Sequence, residues 1–72
     1  MVREQLKRIG LTDEEINIYL FLLKKGKSKA TEIARELDFA RTTIYRFLTS
    51  LINKGWVSEN IESDIKFFYP VS

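Results

Sequence analysis

The feature that most constrains this 72-residue chain is the short gap between two helical segments in its middle. Residues 30–37 fit a short helix, and residues from about 40 to 54 fit a longer one that ends at Gly55. Asp38 lies where the chain must turn, and Asp tolerates left-handed backbone better than most residues. Helices joined by so few residues do not easily lie side by side, so we expect them to cross steeply. The spacing therefore predicts a helix-turn-helix.

The N-terminal part carries the clearest helix start in the chain. Thr12 and Glu15 have the spacing of a capping box, in which each side chain bonds the other residue's backbone amide. The helix that begins there is predicted to run to about Lys25 and to stop at Gly26. A short helix over residues 2–9 is predicted to precede it.

After Gly55 the pattern changes from helix to strand. Residues 56–61 and 65–69 are rich in β-branched and aromatic side chains, and a polar tip, residues 62–64, separates them. Among the aromatic residues we expect Phe68 to be exposed and three others to lie in the core: Trp56, Phe67 and Tyr69.

Three helices followed by a hairpin is the element order of a winged helix. We therefore predict one domain over residues 1–72, of the α+β class and mainly helical. It is a winged helix-turn-helix with a three-helix core, a hairpin wing and a short extra N-terminal helix.

Composition excludes several classes of function. The chain has no cysteine and no histidine, which removes disulfides, thiolate ligands, the commonest metal ligand and the commonest general base. No constellation of the remaining residues suggests an enzyme, a metal site or a cofactor. The N-terminus does not resemble a signal peptide, and no apolar stretch is long enough to cross a membrane. We expect a cytoplasmic protein.

The helix predicted over residues 40–54 carries the candidate site. With Ile44 facing inward, an outward face forms from short polar side chains and arginine: Thr42, Arg46, Thr49 and Asn53. Thr43 and Ser50 lie at its edge, and no acidic residue occurs along the helix. Arginine can pair with guanine, and threonine offers a hydroxyl and a methyl for thymine, so this face suits the major groove of DNA. The alternative is an ordinary solvated helix face.

Four lysines precede the helix-turn-helix within six residues: Lys24, Lys25, Lys27 and Lys29. We call this segment the lysine loop. In a helix-turn-helix it leads toward the phosphate backbone, so Lys27 and Lys29 are candidate phosphate contacts. The alternative is a solubilising loop. The wing is acidic, with Glu59, Glu62 and Asp64 against Lys66, which predicts a weak wing contact with DNA.

The helix from residue 12 to 25 is apolar on nearly all sides. Either the N-terminal helix covers its second face, or that face is a dimer interface. Because DNA-binding dimers that meet palindromic half-sites are common, a homodimer is favoured, with Ile18, Phe21 and Leu22 as the interface.

The segments IGLTDEEINIYLFLLKKG and ATEIARELDFARTTIYRFLTSLINKGWV resemble the N-terminal DNA-binding domain of the TrmB family of archaeal transcriptional regulators, and more broadly the MarR-like winged helices. The most specific matches are Thr-Glu-Ile-Ala at 31–34, Arg-Thr-Thr-Ile-Tyr at 41–45 and Lys-Gly-x-Val at 54–57. Phe-Tyr-Pro-Val at 68–71 is similar to the end of the family's wing.

The resemblance implies a transcription factor, commonly dimeric. Five residues stand at the family's recognition-helix positions: Arg41, Thr42, Thr43, Tyr45 and Arg46. The chain departs from the family at Ala40, where proline is usual, at Asp38, where glycine is usual, and in its acidic wing. Full-length members continue into a sugar-binding domain, so we expect a stand-alone domain or a fragment, and sugar-responsive regulation does not carry over.

Two functions follow from the sequence. The leading hypothesis is sequence-specific binding of double-stranded DNA by a transcriptional regulator, with residues 40–54 as the recognition helix. The alternative is a winged helix that acts only as a protein–protein interaction module of the transcription machinery. The acid-free outward face favours the first, because a protein-docking helix does not need it.

Overall fold

The structure, a computed structural model, describes residues 2–71. Four helices are followed by two strands: α1 (Val2–Arg8), α2 (Asp13–Lys25), α3 (Ala30–Leu37), α4 (Arg41–Asn53), β1 (Val57–Glu62) and β2 (Ile65–Pro70). The order confirms the winged helix-turn-helix, and the bounds lie within a residue or so of those predicted.

The capping box at the start of α2 is confirmed. The Glu15 amide donates to Thr12 Oγ1 at 3.2 Å, and the Thr12 amide donates to Glu15 Oε1 at 2.8 Å. At the other end Gly26 has φ 91°, a value that favours glycine, and its amide donates to the Leu22 carbonyl at 2.8 Å. Both ends of α2 are therefore set by local sequence.

The turn between α3 and α4 takes the predicted form. Asp38 is left-handed, with φ 59° and ψ 49°. The next amide, that of Phe39, donates to the Ala34 carbonyl at 3.0 Å and closes the end of α3. The chain then enters α4 at Arg41, and α3 and α4 pack against each other across this turn.

The residue at the N-cap of α3 is Lys29, and the neighbouring Ser28 does not cap the helix. The Lys29 amide donates to Glu32 Oε1 at 2.9 Å. Ser28 instead pairs with β2: its amide and carbonyl exchange hydrogen bonds of 2.9 and 2.8 Å with the backbone of Phe68. The lysine loop thereby adds a one-residue bridge to the edge of the wing.

The core lies where α2, α3, α4 and the base of the hairpin meet. Its buried apolar residues come from every element: Leu6, Leu11, Ile16, Ile18, Tyr19, Leu22, Ala30, Ile33, Ala34, Ile44, Leu48, Leu51, Val57 and Phe68. α1 packs on α2 through Leu6, and β2 packs on another side of α2. These two elements explain why α2 is apolar nearly all round.

The choice of Ile18 and Leu22 as dimer-interface residues needs correction. Both are 0% exposed within the protomer, in which α1, α3, α4 and β2 all pack against α2. Phe21 is half-buried and packs against the core. On α2 only Leu23, 52% exposed, offers a large apolar side chain to solvent.

The hairpin is antiparallel, with Val57 opposite Pro70 and Glu62 opposite Ile65. Ser63 and Asp64 turn the chain with φ of 51° and 64°, the paired positive values of a two-residue hairpin loop.

The expected burial of the β2 aromatic residues is reversed. Phe68 is 2% exposed and Tyr69 is 37% exposed. The register pairs Phe68 with Glu59, which shares a face with the buried Val57, so Phe68 is the residue that points at the core. Phe67 is half-buried on the other face. Trp56, just before β1, is half-buried and packs against the core as expected, with its ring edge-on to the buried Tyr19 at 5.7 Å.

No helix within residues 2–71 is long and apolar enough to span a membrane.

Candidate nucleic-acid interface

α4 presents the polar face that its sequence predicted. Ile44, Leu48 and Leu51 are buried, at 0%, 1% and 0% exposure, and anchor the helix to the core. Side chains on the opposite side are exposed: Arg41, Thr42, Tyr45, Arg46, Thr49 and Asn53. Thr43 and Ser50 are half-buried, and their spacing of seven residues puts both on the same edge of this face.

The two arginines of α4 are free to bind a ligand. In the part of the chain that the structure describes, neither Arg41 nor Arg46 forms an ion pair. The Arg46 guanidinium lies 6.0 Å from the centre of the Phe47 ring, a weak contact that leaves its donors exposed. Phe47 in turn packs edge-on against Phe39 of the turn, with ring centres 6.2 Å apart.

Tyr45 links α4 to the wing. Its ring meets the Phe68 ring edge-on at 6.2 Å, while 43% of the residue is exposed. The sequence placed Tyr45 at a recognition-helix position but did not reveal this contact, because its partner Phe68 was expected to be exposed. The contact sets the position of the hairpin relative to α4.

An ion pair between exposed Lys54 and buried Glu15 anchors the far end of α4. Lys54 Nζ lies 2.8 Å from Glu15 Oε1 and also donates to the Gly10 carbonyl at 3.0 Å. Burial opposes ionisation of Glu15, but hydrogen bonds from Lys54, Ser50 and the Thr12 amide, together with the Lys54 charge, outweigh it and lower the pKa of Glu15 to about 2. One carboxylate thus caps α2 and holds the C-terminal end of α4.

Among the residues that the structure describes, Lys27 of the four lysines in the lysine loop forms an ion pair and the others do not. Lys27 Nζ lies 2.7 Å from Glu62 Oε2 near the wing tip and 5.0 Å from the centre of the Phe67 ring. The hydrogen bond from Lys27 lowers the pKa of Glu62. Lys24 and Lys25 are exposed, Lys29 is half-buried, and none of these three forms an ion pair within residues 2–71.

The only cation of the wing strands is also paired. Lys66 Nζ lies 3.1 Å from Glu59 Oε1 on the opposite strand. The wing therefore offers no free ammonium group, and in the helix-turn-helix region of the described residues the cations without an ion pair lie on α3, on α4 and in the lysine loop.

Solved structures with this fold place the chain among the winged helices. The Zalpha domain of zebrafish PKZ superposes with a TM-score of 0.80 at 26% identity, over 83% of this chain and 94% of that one. The Zalpha domain of Carassius auratus PKZ, crystallised with Z-DNA, gives a TM-score of 0.75 at 30% identity, over 79% of this chain and 90% of that one. YusO from Bacillus subtilis gives 0.86 at 17% identity, over 94% of this chain and 50% of that one, which shows a shared fold.

Sequence comparison assigns the chain to a narrower group than the winged-helix fold. Residues 6–72 match the family model described as "Sugar-specific transcriptional regulator TrmB". The sugar-sensing transcriptional regulator TrmBL1 of Pyrococcus furiosus is 38% identical over 71 residues, which cover 99% of this chain and 20% of that protein. An uncharacterized Methanocaldococcus jannaschii protein, MJ1082, is 41% identical over 49 residues, 68% of this chain and 41% of that one. The chain belongs to the TrmB family of transcriptional regulators, and it spans about a fifth of the length of TrmBL1.

Proposed function

We propose that residues 1–72 form a DNA-binding domain that recognises specific sequences in double-stranded DNA and so regulates transcription. The observation that carries the proposal is the exposed face of α4, which has two arginines without ion pairs and no carboxylate over Arg41–Asn53. Phosphate repels carboxylates, whereas arginine and threonine are suited to base edges in the major groove.

The residues divide by what they would contact. Thr42 and Arg46, on the exposed face, and Thr43, at its edge near the start of α4, read bases. Three residues at its margins contact the backbone: Arg41, Tyr45 and Ser50. In the lysine loop, Lys29 contacts phosphate from the start of α3 and contributes to affinity rather than sequence choice.

Fluorescence anisotropy titrations of labelled duplexes, at several salt concentrations from about 50 to 200 mM, test the proposal. The expected result is binding that weakens linearly in the logarithm of salt, with a preferred sequence among genomic fragments. Binding weaker than about 10⁻⁴ M on every duplex overturns the proposal, because even non-specific DNA binders are usually tighter. That outcome would favour the protein-interaction module instead.

Left-handed DNA is a second candidate ligand. The Carassius auratus domain, 30% identical to this chain, was crystallised with Z-DNA, and PKZ Zalpha was also crystallised with a (CG)6 duplex. A (CG)6 duplex therefore belongs in the titration, with circular dichroism to follow its handedness. Inversion of the duplex spectrum on addition of protein would support this candidate, and an unchanged right-handed spectrum would contradict it.

We also propose that the protein acts as a homodimer on two half-sites. Support comes from the fold, since winged helices commonly bind DNA as symmetric dimers. With Ile18 and Leu22 in the core, the α2 part of such an interface is reduced to Phe21 and Leu23.

A further inference from the structure

The pair between Lys27 and Glu62 joins two segments that the sequence suggested would act separately. Lys27 belongs to the lysine loop, and Glu62 is the last residue of β1, 35 positions later. Their charged atoms are 2.7 Å apart, and the ammonium group also lies over the Phe67 ring. Asn60 Nδ2 donates to the same Glu62 oxygen at 2.9 Å, so the carboxylate is held in place from two sides.

This pair contributes little to folding. Both side chains are substantially exposed, at 45% and 44%, and exposed ion pairs stabilise proteins weakly. The hairpin is already attached by the exchange of backbone hydrogen bonds between Ser28 and Phe68 and by the buried Phe68 ring. The pair can therefore open without loss of the fold.

Its main effect is on charge. Lys27 is one of four lysines in the lysine loop, and Glu62 neutralises it while the neighbouring Asp64 adds a further negative charge at the wing tip. A phosphate that approached this loop would have to replace Glu62 on Lys27 and would meet an unpaired carboxylate beside it.

We infer that Glu62 competes with DNA phosphate for Lys27, so that the wing lowers the affinity of this domain for duplex DNA. The inference rests on the proposed DNA-binding function. It also revises the role of Lys27, which becomes a phosphate contact only when the pair with Glu62 opens.

Substitution Glu62→Gln tests the inference, because it keeps the size and hydrogen bonding of the side chain and removes its charge. The matched control is Glu59→Gln, which removes the same charge from the same strand but from a residue paired with Lys66 rather than with the loop. Affinity for one duplex is measured by anisotropy over a series of salt concentrations, for each variant and for the unmodified chain.

Glu62→Gln is expected to bind about three- to fivefold more tightly near 0.1 M salt, the size of one charge interaction at 4 to 6 Å in water. Its salt slope should steepen by about 0.9, the value for one added phosphate contact. Glu59→Gln should gain less than half as much. Adding Lys27→Gln to Glu62→Gln should abolish the gain, and thermal melting should show that all variants are folded.

Equal gains from Glu62→Gln and Glu59→Gln would overturn the inference, since net charge alone would then explain both. A gain that survives Lys27→Gln would overturn it as well. If neither the unmodified chain nor Glu62→Gln binds any duplex, the proposed function fails and the inference fails with it. Binding by the unmodified chain with no gain in Glu62→Gln overturns the inference alone.

Discussion

At the scale of single residues, Glu15 does more than its sequence pattern indicates. The capping box explains its contact with Thr12, but the ion pair with Lys54 is set by the packing of α2 on α4. The Glu15 side chain is 2% exposed, and removing its partner Lys54 is costly because the buried carboxylate is left without compensation.

The lowered pKa of Glu15 predicts acid-sensitive stability. The folded-state pKa lies below the ordinary value of 4.5, at about 2, so the stabilisation is complete above pH 4.5 and is lost as the pH falls through the folded value. The loss should amount to about 3 kcal/mol in the free energy of unfolding. Glu15→Gln should flatten this dependence, as measured by urea unfolding from pH 5 to 2. Glu14→Gln is the control and should keep the pH dependence. If Glu15→Gln keeps it too, Glu15 is not the group responsible for the acid sensitivity.

Arg46 is expected to carry base recognition. Arg46→Ala should cost about 1 to 3 kcal/mol of binding free energy on the preferred site and should reduce the preference for that site over others. Arg35→Ala, at an exposed arginine near the end of α3, should change neither. A loss of equal size on all duplexes would show that Arg46 contacts only the backbone.

At the scale of elements, the turn between α3 and α4 is built from residues that differ from the family's usual ones. Asp38 adopts a left-handed conformation that glycine enters at lower cost. Ala40 has φ −64° and ψ 146°, and no hydrogen bond from its amide forms within residues 2–71. Proline would fit this position, because its ring fixes φ near about −65° and it lacks only the unused donor.

Ala40→Pro should therefore stabilise the domain by about 0.4 to 1 kcal/mol, through the reduced freedom of the unfolded chain. For a domain of this size the melting temperature should rise by about 2 to 8 °C. Phe39→Pro, compared with Phe39→Ala, is the control: it removes the amide that bonds the Ala34 carbonyl and should lower stability further than loss of the ring alone. A lower melting temperature for Ala40→Pro would mean that the turn needs the Ala40 amide.

At the scale of the whole molecule, α1 and the hairpin cover α2 from two sides, which limits how a second copy can bind. Leu23→Glu places a charge at a position that is 52% exposed and should give a folded monomer by light scattering, with weaker binding to a palindromic duplex. Phe21→Glu should act in the same way but with some loss of stability, because Phe21 packs against the core. A monomeric unmodified chain, free and on DNA, would refute the homodimer.

Much of this protein was determined by its sequence alone. Features that depend on neighbours a few residues apart could be predicted from the sequence. They are the caps of α2, the left-handed turn at Asp38, the element order and the polar face of α4. The TrmB family could be identified from the sequence for the same reason, because its motifs lie within those elements.

The tertiary structure decided what depends on distant neighbours. It buried Ile18 and Leu22, because four other elements pack against α2. The hairpin register turned Phe68 inward against Tyr45, and a one-residue change of register would have reversed this. It also paired Lys27 with Glu62 and Lys54 with Glu15, because only tertiary packing brings charged residues that are far apart in sequence into contact.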